Sequence, residues 1–281
     1  MDLAVQLYSI RKHFASNSAA TLERLATIGY RAVEIPLDLS GEDIFGMGQT
    51  SASQLAADLA SQDLKLIAAH LRLTHDDQLS QAIDYLLQTG CRNAVIPLEL
   101  LDNQQQVDAL ADRLNALGEK LHKDGIRLFY HNHFHEFQRF GGQSAFDTLV
   151  QRTDPKLVSF EVDTYWAMRG GVDVLALLEQ LGSRCGLIHQ KDMPAALDKV
   201  DILADWPAER AIDLDAIREF ITPAYFTEVG HGVMPVRDIL ALAESHCKSQ
   251  AIVVEVDATD MDELDSVAVS YRNLSRLMGI V

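Results

Sequence analysis

Residues 157–163 read LVSFEVD, and residues 251–257 read AIVVEVD. In the first, Val158, Phe160 and Val162 alternate with Ser159, Glu161 and Asp163. In the second, Ile252, Val254 and Val256 alternate with Val253, Glu255 and Asp257. A strand sends successive side chains to opposite faces. Each stretch therefore predicts a strand whose apolar face meets covering helices and whose other face carries carboxylates toward a barrel axis. Carboxylates on an interior face are costly unless they are paired or hold a cation.

Outward from these two, six more short apolar runs predict strands at 3–8, 32–36, 65–70, 93–97, 126–133 and 185–190. Most are rich in Val, Ile or Leu, as strands covered by helices must be. Helical periodicity lies between them. Leu79, Ala82, Ile83, Leu86 and Leu87 share one face and stop at Gly90, and Val107, Leu110, Leu114, Leu117 and Leu121 share another. A shorter pattern covers 21–28 and ends at Gly29, and a last helix is expected over about 261–278. Strand–helix alternation implies a parallel sheet with right-handed crossovers. Eight such units predict an α/β chain folded as one closed (β/α)8 barrel over residues 1–281. An open doubly wound sheet is the runner-up, but no GxGxxG follows the first strand. The longest irregular stretch, 192–235, contains Pro194, Pro207, Pro223 and Pro235 and one helical piece near 214–221. In a barrel it follows strand seven on the active face, where a long loop acts as a lid or binding element.

Composition narrows the function. Of 281 residues, 48% are hydrophobic and 23% charged, which fits a globular chain rather than a disordered one. A formal charge of −17 opposes nonspecific binding to nucleic acid or an anionic membrane. The three cysteines, Cys91, Cys185 and Cys247, are far apart, so a reducing, cytoplasmic setting without a disulfide framework is expected. The opening MDLAVQLYSIRKHF lacks a signal-peptide pattern, and no apolar run is long enough to predict a membrane span.

Interior parity places Asp163, His189 and Glu255 at or near the carboxyl ends of strands six, seven and eight, where barrel enzymes keep their sites. Two carboxylates and an imidazole suit one divalent ion: Mn, Mg, Co, Fe or Zn. A metal-free ion pair is the competing reading. Strand five adds YHNHFHEF (130–137), with His131, His133, His135 and Glu136 in six positions. This cluster predicts a fourth ligand, hydrogen-bond donors for substrate hydroxyls, and imidazoles that relay protons near neutral pH.

QLYS (6–9), GYRAVEI (29–35), YHNHFHEF (130–137), EVDTYW (161–166), LIHQKDM (187–193), TEVGHGV (227–233) and VVEVD (253–257) occur together and in order. As an ordered set, they resemble the xylose-isomerase-like sugar (phosphate) isomerase/epimerase superfamily. The resemblance spans nearly the whole chain and implies a TIM barrel with one divalent metal held by strands five to eight. Carried over by position, the ligands are Glu136, Asp163, His189 and Glu255. Ketose epimerases of the superfamily place a glutamate where this chain has His131, so His131 or His133 is the alternative to Glu136. His231 stands in the glycine turn where a small or acidic residue is usual.

The resemblance implies proton transfer beside a carbonyl of a keto sugar or polyol through a metal-stabilised enediolate. Glu136 and Glu255 are candidate bases, with His131 and His133 as relays. Lys191 is a candidate oxyanion partner, as well as a structural ion-pair partner. His70, Trp166, Tyr8 and Glu34 are candidate substrate contacts; Tyr8 also reads as core filling. No basic cluster for phosphate is evident, which favours an unphosphorylated substrate. β-Elimination on an inosose or keto sugar is the alternative chemistry, followed by a noncatalytic sugar-binding barrel. A DNA-repair endonuclease conflicts with the acidic charge. Barrels of this kind often form homo-oligomers, although no residue here identifies such an interface.

Overall fold

The apolar runs become strands because each is flanked by a helix that covers its outer face. The computed structural model describes residues 1–73, 78–197, 200–207 and 210–280. The barrel strands are β1 (Asp2–Gln6), β2 (Ala32–Asp38), β3 (Lys65–Arg72), β4 (Asn93–Ile96), β5 (Arg127–His131), β6 (Val158–Asp163), β7 (Cys185–Gln190) and β8 (Ala251–Val254). Each pairs in parallel with its sequence neighbours, and β8 pairs with β1 to close the barrel. The chain is thus a (β/α)8 TIM barrel. A two-stranded hairpin, Arg139–Phe140 with Gln143–Ser144, lies outside it.

Long helices follow the periodic segments: Ser18–Ile28, Gln78–Gln88, Gln104–Lys123 and Glu263–Leu277. Three have side-chain N-caps, from Asn17, Asn103 and Asp262. Helices Ala52–Ser61, Ala145–Arg152, Val174–Leu181 and Val236–Leu242 lie outside the segments whose periodicity predicts a helix. These helices are short, and the last three have seven or eight residues each, so periodicity has little length in which to show.

Two apolar regions result. Leu25, Leu55, Leu86, Leu114, Leu149, Leu178 and Ile239 fill the space between sheet and helices, together with Val158, Phe160, Val162, Ile252 and Val254. A separate cluster of Ala4, Ala32, Ile67, Ala68, Val95, Phe129, Leu187, Ala251 and Val253 plugs the barrel interior. Gly186 makes room for the Phe129 ring: a Cβ there would sit 2.7 Å from Phe129 Cε1.

Three strand ends are shorter than the sequence reading, for local polar reasons. After Gln6 the chain turns into a 3-10 segment, Leu7–Ile10, with Gln6 Oε1 accepting from Tyr8 N at 3.3 Å. β5 stops at His131 because the Asn132 side chain takes over the pairing with β6. Its Oδ1 accepts from Asp163 N and its Nδ2 donates to Asp163 O, both at 3.1 Å. β8 stops at Val254, and Val256 N donates to Ser9 Oγ at 3.0 Å instead of continuing the ladder.

The segment 192–235 is not featureless, and its residues 198, 199, 208 and 209 lie outside the described residues. It holds a short helix, Leu214–Arg218, and a bridge between Asp192 and Thr227. Trp206, Phe220, Tyr225 and Phe226 pack on Phe134, Tyr165 and Trp166 at the carboxyl end of the barrel. Among the described residues, no helix is long and apolar enough to cross a membrane.

Candidate active site

Above the apolar plug, the same interior parity turns polar. Gln6, Glu34, His70, His131, Glu161, Asp163, His189, Lys191, Glu255 and Asp257 are all buried. They divide into two tiers that share His189.

The outer tier holds Asp163, His189 and Glu255, whose ligand atoms lie within 4.8 Å of one another. Asp163 is fixed at the β6 end because its Oδ1 accepts from Trp166 N at 2.7 Å, capping helix Thr164–Arg169. Its Oδ2 is 2.8 Å from Lys191 Nζ. Lys191 also lies 2.7 Å from Glu255 Oε2 and 3.3 Å from Asp257 Oδ1. Burial works against the ammonium, yet Asp163, Asp257 and Glu255 hold its pKa well above the usual lysine range. Burial also opposes ionisation of Glu255, but Lys191 and His189 keep its pKa well below the carboxylate norm. Burial, only partly countered by Lys191, pushes Asp257 up to about 7.

The inner tier holds His70, His131, Glu161 and His189, again with ligand atoms within 4.8 Å of one another. Glu161 Oε2 lies 2.7 Å from His70 Nε2, 3.1 Å from His131 Nδ1 and 3.3 Å from His189 Nε2. Glu34 joins through Oε2, 3.1 Å from His70 Nε2 and in close contact with His189 Nε2. Gln6 Nε2 donates to the same oxygen at 2.9 Å. Burial raises Glu161 to about 7, with the Glu34 charge adding to it. Burial acts against charge on His70, but Glu34 and Glu161 reverse it and raise His70 to about 9. Burial lowers His131 and His133 well below the histidine norm, so both are neutral at pH 7.

The donor chemistry fits a divalent ion. Glu34, Glu161, Asp163, Glu255 and Asp257 place five carboxylates in one buried volume; Lys191 is the permanent positive contact of the last three, and His70 and His189 face the first two. Such an excess of buried negative charge requires protons or cations. Glu34 Oε1 and Glu161 Oε1 are buried with no hydrogen-bond partner.

Of the strand-five residues, His131 approaches both tiers, with Nε2 3.8 Å from Asp163 Oδ2. Glu136 is not brought into the converging set. Its Oε1 accepts from Tyr130 OH and its Oε2 from His133 N, both at 2.8 Å. It thereby braces the turn after β5, a role that follows from its place past the strand end. His133 is half-buried, with its ring centroid 5.8 Å from that of Trp166. Trp166 is fully buried, and Lys191 Nζ lies 5.6 Å from its ring. Tyr8 is half-buried, with the Arg11 guanidinium 4.3 Å from its ring centroid and Phe45 at its edge. His135 is held by Glu99 O at 2.9 Å.

Two residues of the site are not singled out by the sequence pattern. Strand parity turns Glu161 toward the axis with Asp163, but its place in the inner tier comes from the closed barrel. Asp192 follows Lys191 and organises the glycine turn. Its carboxylate accepts from the backbone N–H groups of Met193, Gly230, Gly232 and Met234 at 2.8–3.0 Å. A Cβ on Gly232 would run into that carboxylate. His231, inside the turn, is exposed.

The buried donor set lies at the carboxyl end of a closed parallel barrel, which puts the chain in a class of folds, the (β/α)8 barrels. Within it, the chain belongs to the xylose isomerase-like TIM barrel family, whose model matches residues 22–267. It is 28% identical to the inosose dehydratase of Clostridium beijerinckii over 157 residues, 55% of this chain and 48% of that protein. It is 27% identical to the inosose dehydratase of Geobacillus kaustophilus over 193 residues, 61% of each. The first of these matches spans about half the length of its curated relative. A solved sugar phosphate isomerase/epimerase from Parabacteroides distasonis superposes with a TM-score of 0.75 at 21% identity, covering 98% of this chain and 94% of that one. The IOLI protein, solved with a zinc atom, superposes with a TM-score of 0.70 at 13% identity, covering 100% and 99%.

Proposed function

We propose that this chain is a divalent-metal-dependent isomerase or epimerase of a keto sugar or related polyol. The observation that carries this reading is the convergence of Asp163, His189 and Glu255 within 4.8 Å at the carboxyl end of the barrel. These three would hold the ion, which when bound supplies Lewis acidity toward a substrate carbonyl. The residues do the rest. Glu255, held ionised by Lys191, takes the proton from the carbon beside the carbonyl. Lys191 presents its ammonium to the oxygen that gains charge. His133, neutral at pH 7 and with Nδ1 unpartnered, relays a solvent proton to the other face or to the neighbouring carbon, one ring nitrogen accepting as the other donates, and Glu255 then releases its proton to solvent. Trp206, Phe220 and Phe226, packed on Phe134, Tyr165 and Trp166, would keep water from the site. The substrate is unphosphorylated, and the protein works in the cytoplasm.

The curated relatives, named inosose dehydratases, favour a second reading. In it, the same proton abstraction is followed by loss of a β-hydroxyl. Asp257, with a pKa of about 7, would protonate that leaving group.

The test is turnover of keto sugars and inososes with added Mn²⁺ in deuterated water, followed by mass and proton resonance. Deuterium entering beside the carbonyl without loss of water supports epimerisation or isomerisation. Loss of one water with an ultraviolet-absorbing enone supports the second reading. Glu255→Gln should slow either reaction by about 10²–10⁴-fold while the fold persists. Full activity in that variant removes Glu255 from the chemistry.

A further inference from the structure

We propose that the inner tier is a second metal site, so that the loaded protein carries two divalent ions rather than one. Its ligands are His70 Nε2, His131 Nδ1 and Glu161 Oε2, with Glu34 as the adjoining carboxylate. This inference rests on the ion reading of the outer tier given above.

Three observations carry it. The first is geometric. His70, His131, Glu161 and His189 bring four ligand atoms within 4.8 Å from four different strands, independently of Asp163 and Glu255. All four residues are buried, and the strands that carry them are locked in the barrel ladder. The second is the set of unmet polar atoms. Glu34 Oε1 and Glu161 Oε1 are buried beside this cluster and accept no hydrogen bond, a costly state for a carboxylate oxygen. A cation supplies the missing partner.

The third is charge. In the outer tier, Lys191 and one divalent ion balance Asp163, Glu255 and Asp257. The inner carboxylates, Glu34 and Glu161, are left over, and a second divalent ion neutralises them while the imidazoles stay neutral. With one ion, the same volume balances only if the imidazoles in contact with Glu34 and Glu161 hold protons in place of the second ion. His189 stands between the tiers, with Nδ1 3.0 Å from Glu255 Oε2 and Nε2 3.3 Å from Glu161 Oε2. Two imidazoles and carboxylate oxygens select a first-row transition ion over Mg²⁺, which prefers an all-oxygen shell.

The experiment counts ions. Full-length protein is stripped with chelator, titrated with Co²⁺, dialysed and analysed for bound metal, with the visible Co²⁺ spectrum recorded at each addition. Two ions per chain are expected for the wild type. Glu161→Gln and His70→Asn should each lower the count to one and leave the outer spectrum. Asp163→Asn should lower it to one and leave the inner, imidazole-rich spectrum. Circular dichroism melts confirm that each variant is folded, and either inner-tier variant suffices if the other fails to fold.

One ion in the wild type, kept in Glu161→Gln and lost in Asp163→Asn, overturns the second site and leaves the proposed function standing. One ion lost in Glu161→Gln and kept in Asp163→Asn overturns both. Two ions retained in both inner-tier variants overturn the assignment of ligands.

Discussion

The lower and upper halves of the barrel interior are built from the same eight strands, yet their chemistry is opposite. The lower half is an apolar plug of Ala4, Ala32, Val95, Phe129, Leu187, Ala251, Val253 and their neighbours. Two residues further along several of these strands, the interior carries Gln6, Glu34, His131, His189 and Glu255. Strand parity is unchanged between the halves; only the residue type at interior positions changes. The plug stabilises the barrel by excluding water. The upper half gathers charges that cost stability unless protons or ions compensate them. A barrel thus separates a stability region from a chemical one along a single strand.

This comparison is open to experiment. The largest expected effect is on the upper half alone. Asp163→Asn should lower α-proton exchange by about 10²–10⁴-fold, with its melting temperature close to that of the ion-stripped wild type. A loss of fold equal to that of a plug variant would erase the distinction between the halves. In the plug, Phe129→Ala should cost about 3–5 kcal/mol in denaturant unfolding. Exchange per folded molecule should be nearly unchanged.

The third prediction uses pH. Without metal, His70 has a folded pKa of about 9, above its unbound value. A raised pKa means that the folded state holds the proton more tightly. The stabilisation is therefore full below about pH 6.5 and is lost as pH rises through 9, on the order of 3 kcal/mol in all. Glu161, raised to about 7, acts in the same direction: stability falls as pH rises from about 4.5 through 7. Stripped protein should melt at progressively lower temperature from pH 5 to pH 9, and saturating Mn²⁺ should flatten the curve. A flat curve without metal would mean that these groups do not titrate as described.

The smallest effect is expected from Gly186→Ala. Its new Cβ meets the Phe129 ring at 2.7 Å, so the plug must shift at a cost of about 1–3 kcal/mol, read by denaturant unfolding. A stabilised variant would show that the plug has slack at that point.

The eight strands and the four long helices were legible because their signals are local. Period two and period 3.6 appear in any segment of sufficient length, and burial then follows from parity. The helices Ala52–Ser61, Ala145–Arg152, Val174–Leu181 and Val236–Leu242 and the ends of the first, fifth and eighth strands were not legible. They are settled by single polar contacts, such as Asn132 to Asp163 and Gln6 to Tyr8, whose partners a linear pattern does not identify.

The same division runs through the candidate site. That Asp163, His189 and Glu255 face the interior at strand ends follows from their positions in the sequence. That Glu136 turns to Tyr130 and His133, while Glu34, His70 and Glu161 form a second tier, does not. Alternation determines which face a side chain takes. The depth at which it sits, and which strand's residue stands opposite, depend on the stagger of the closed barrel and the bulge between Val33 and Glu34. The sequence determined the kinds of groups brought inside, because each strand chooses its faces residue by residue. Only the closed barrel decided which of them meet, because registry is a property of all eight strands at once.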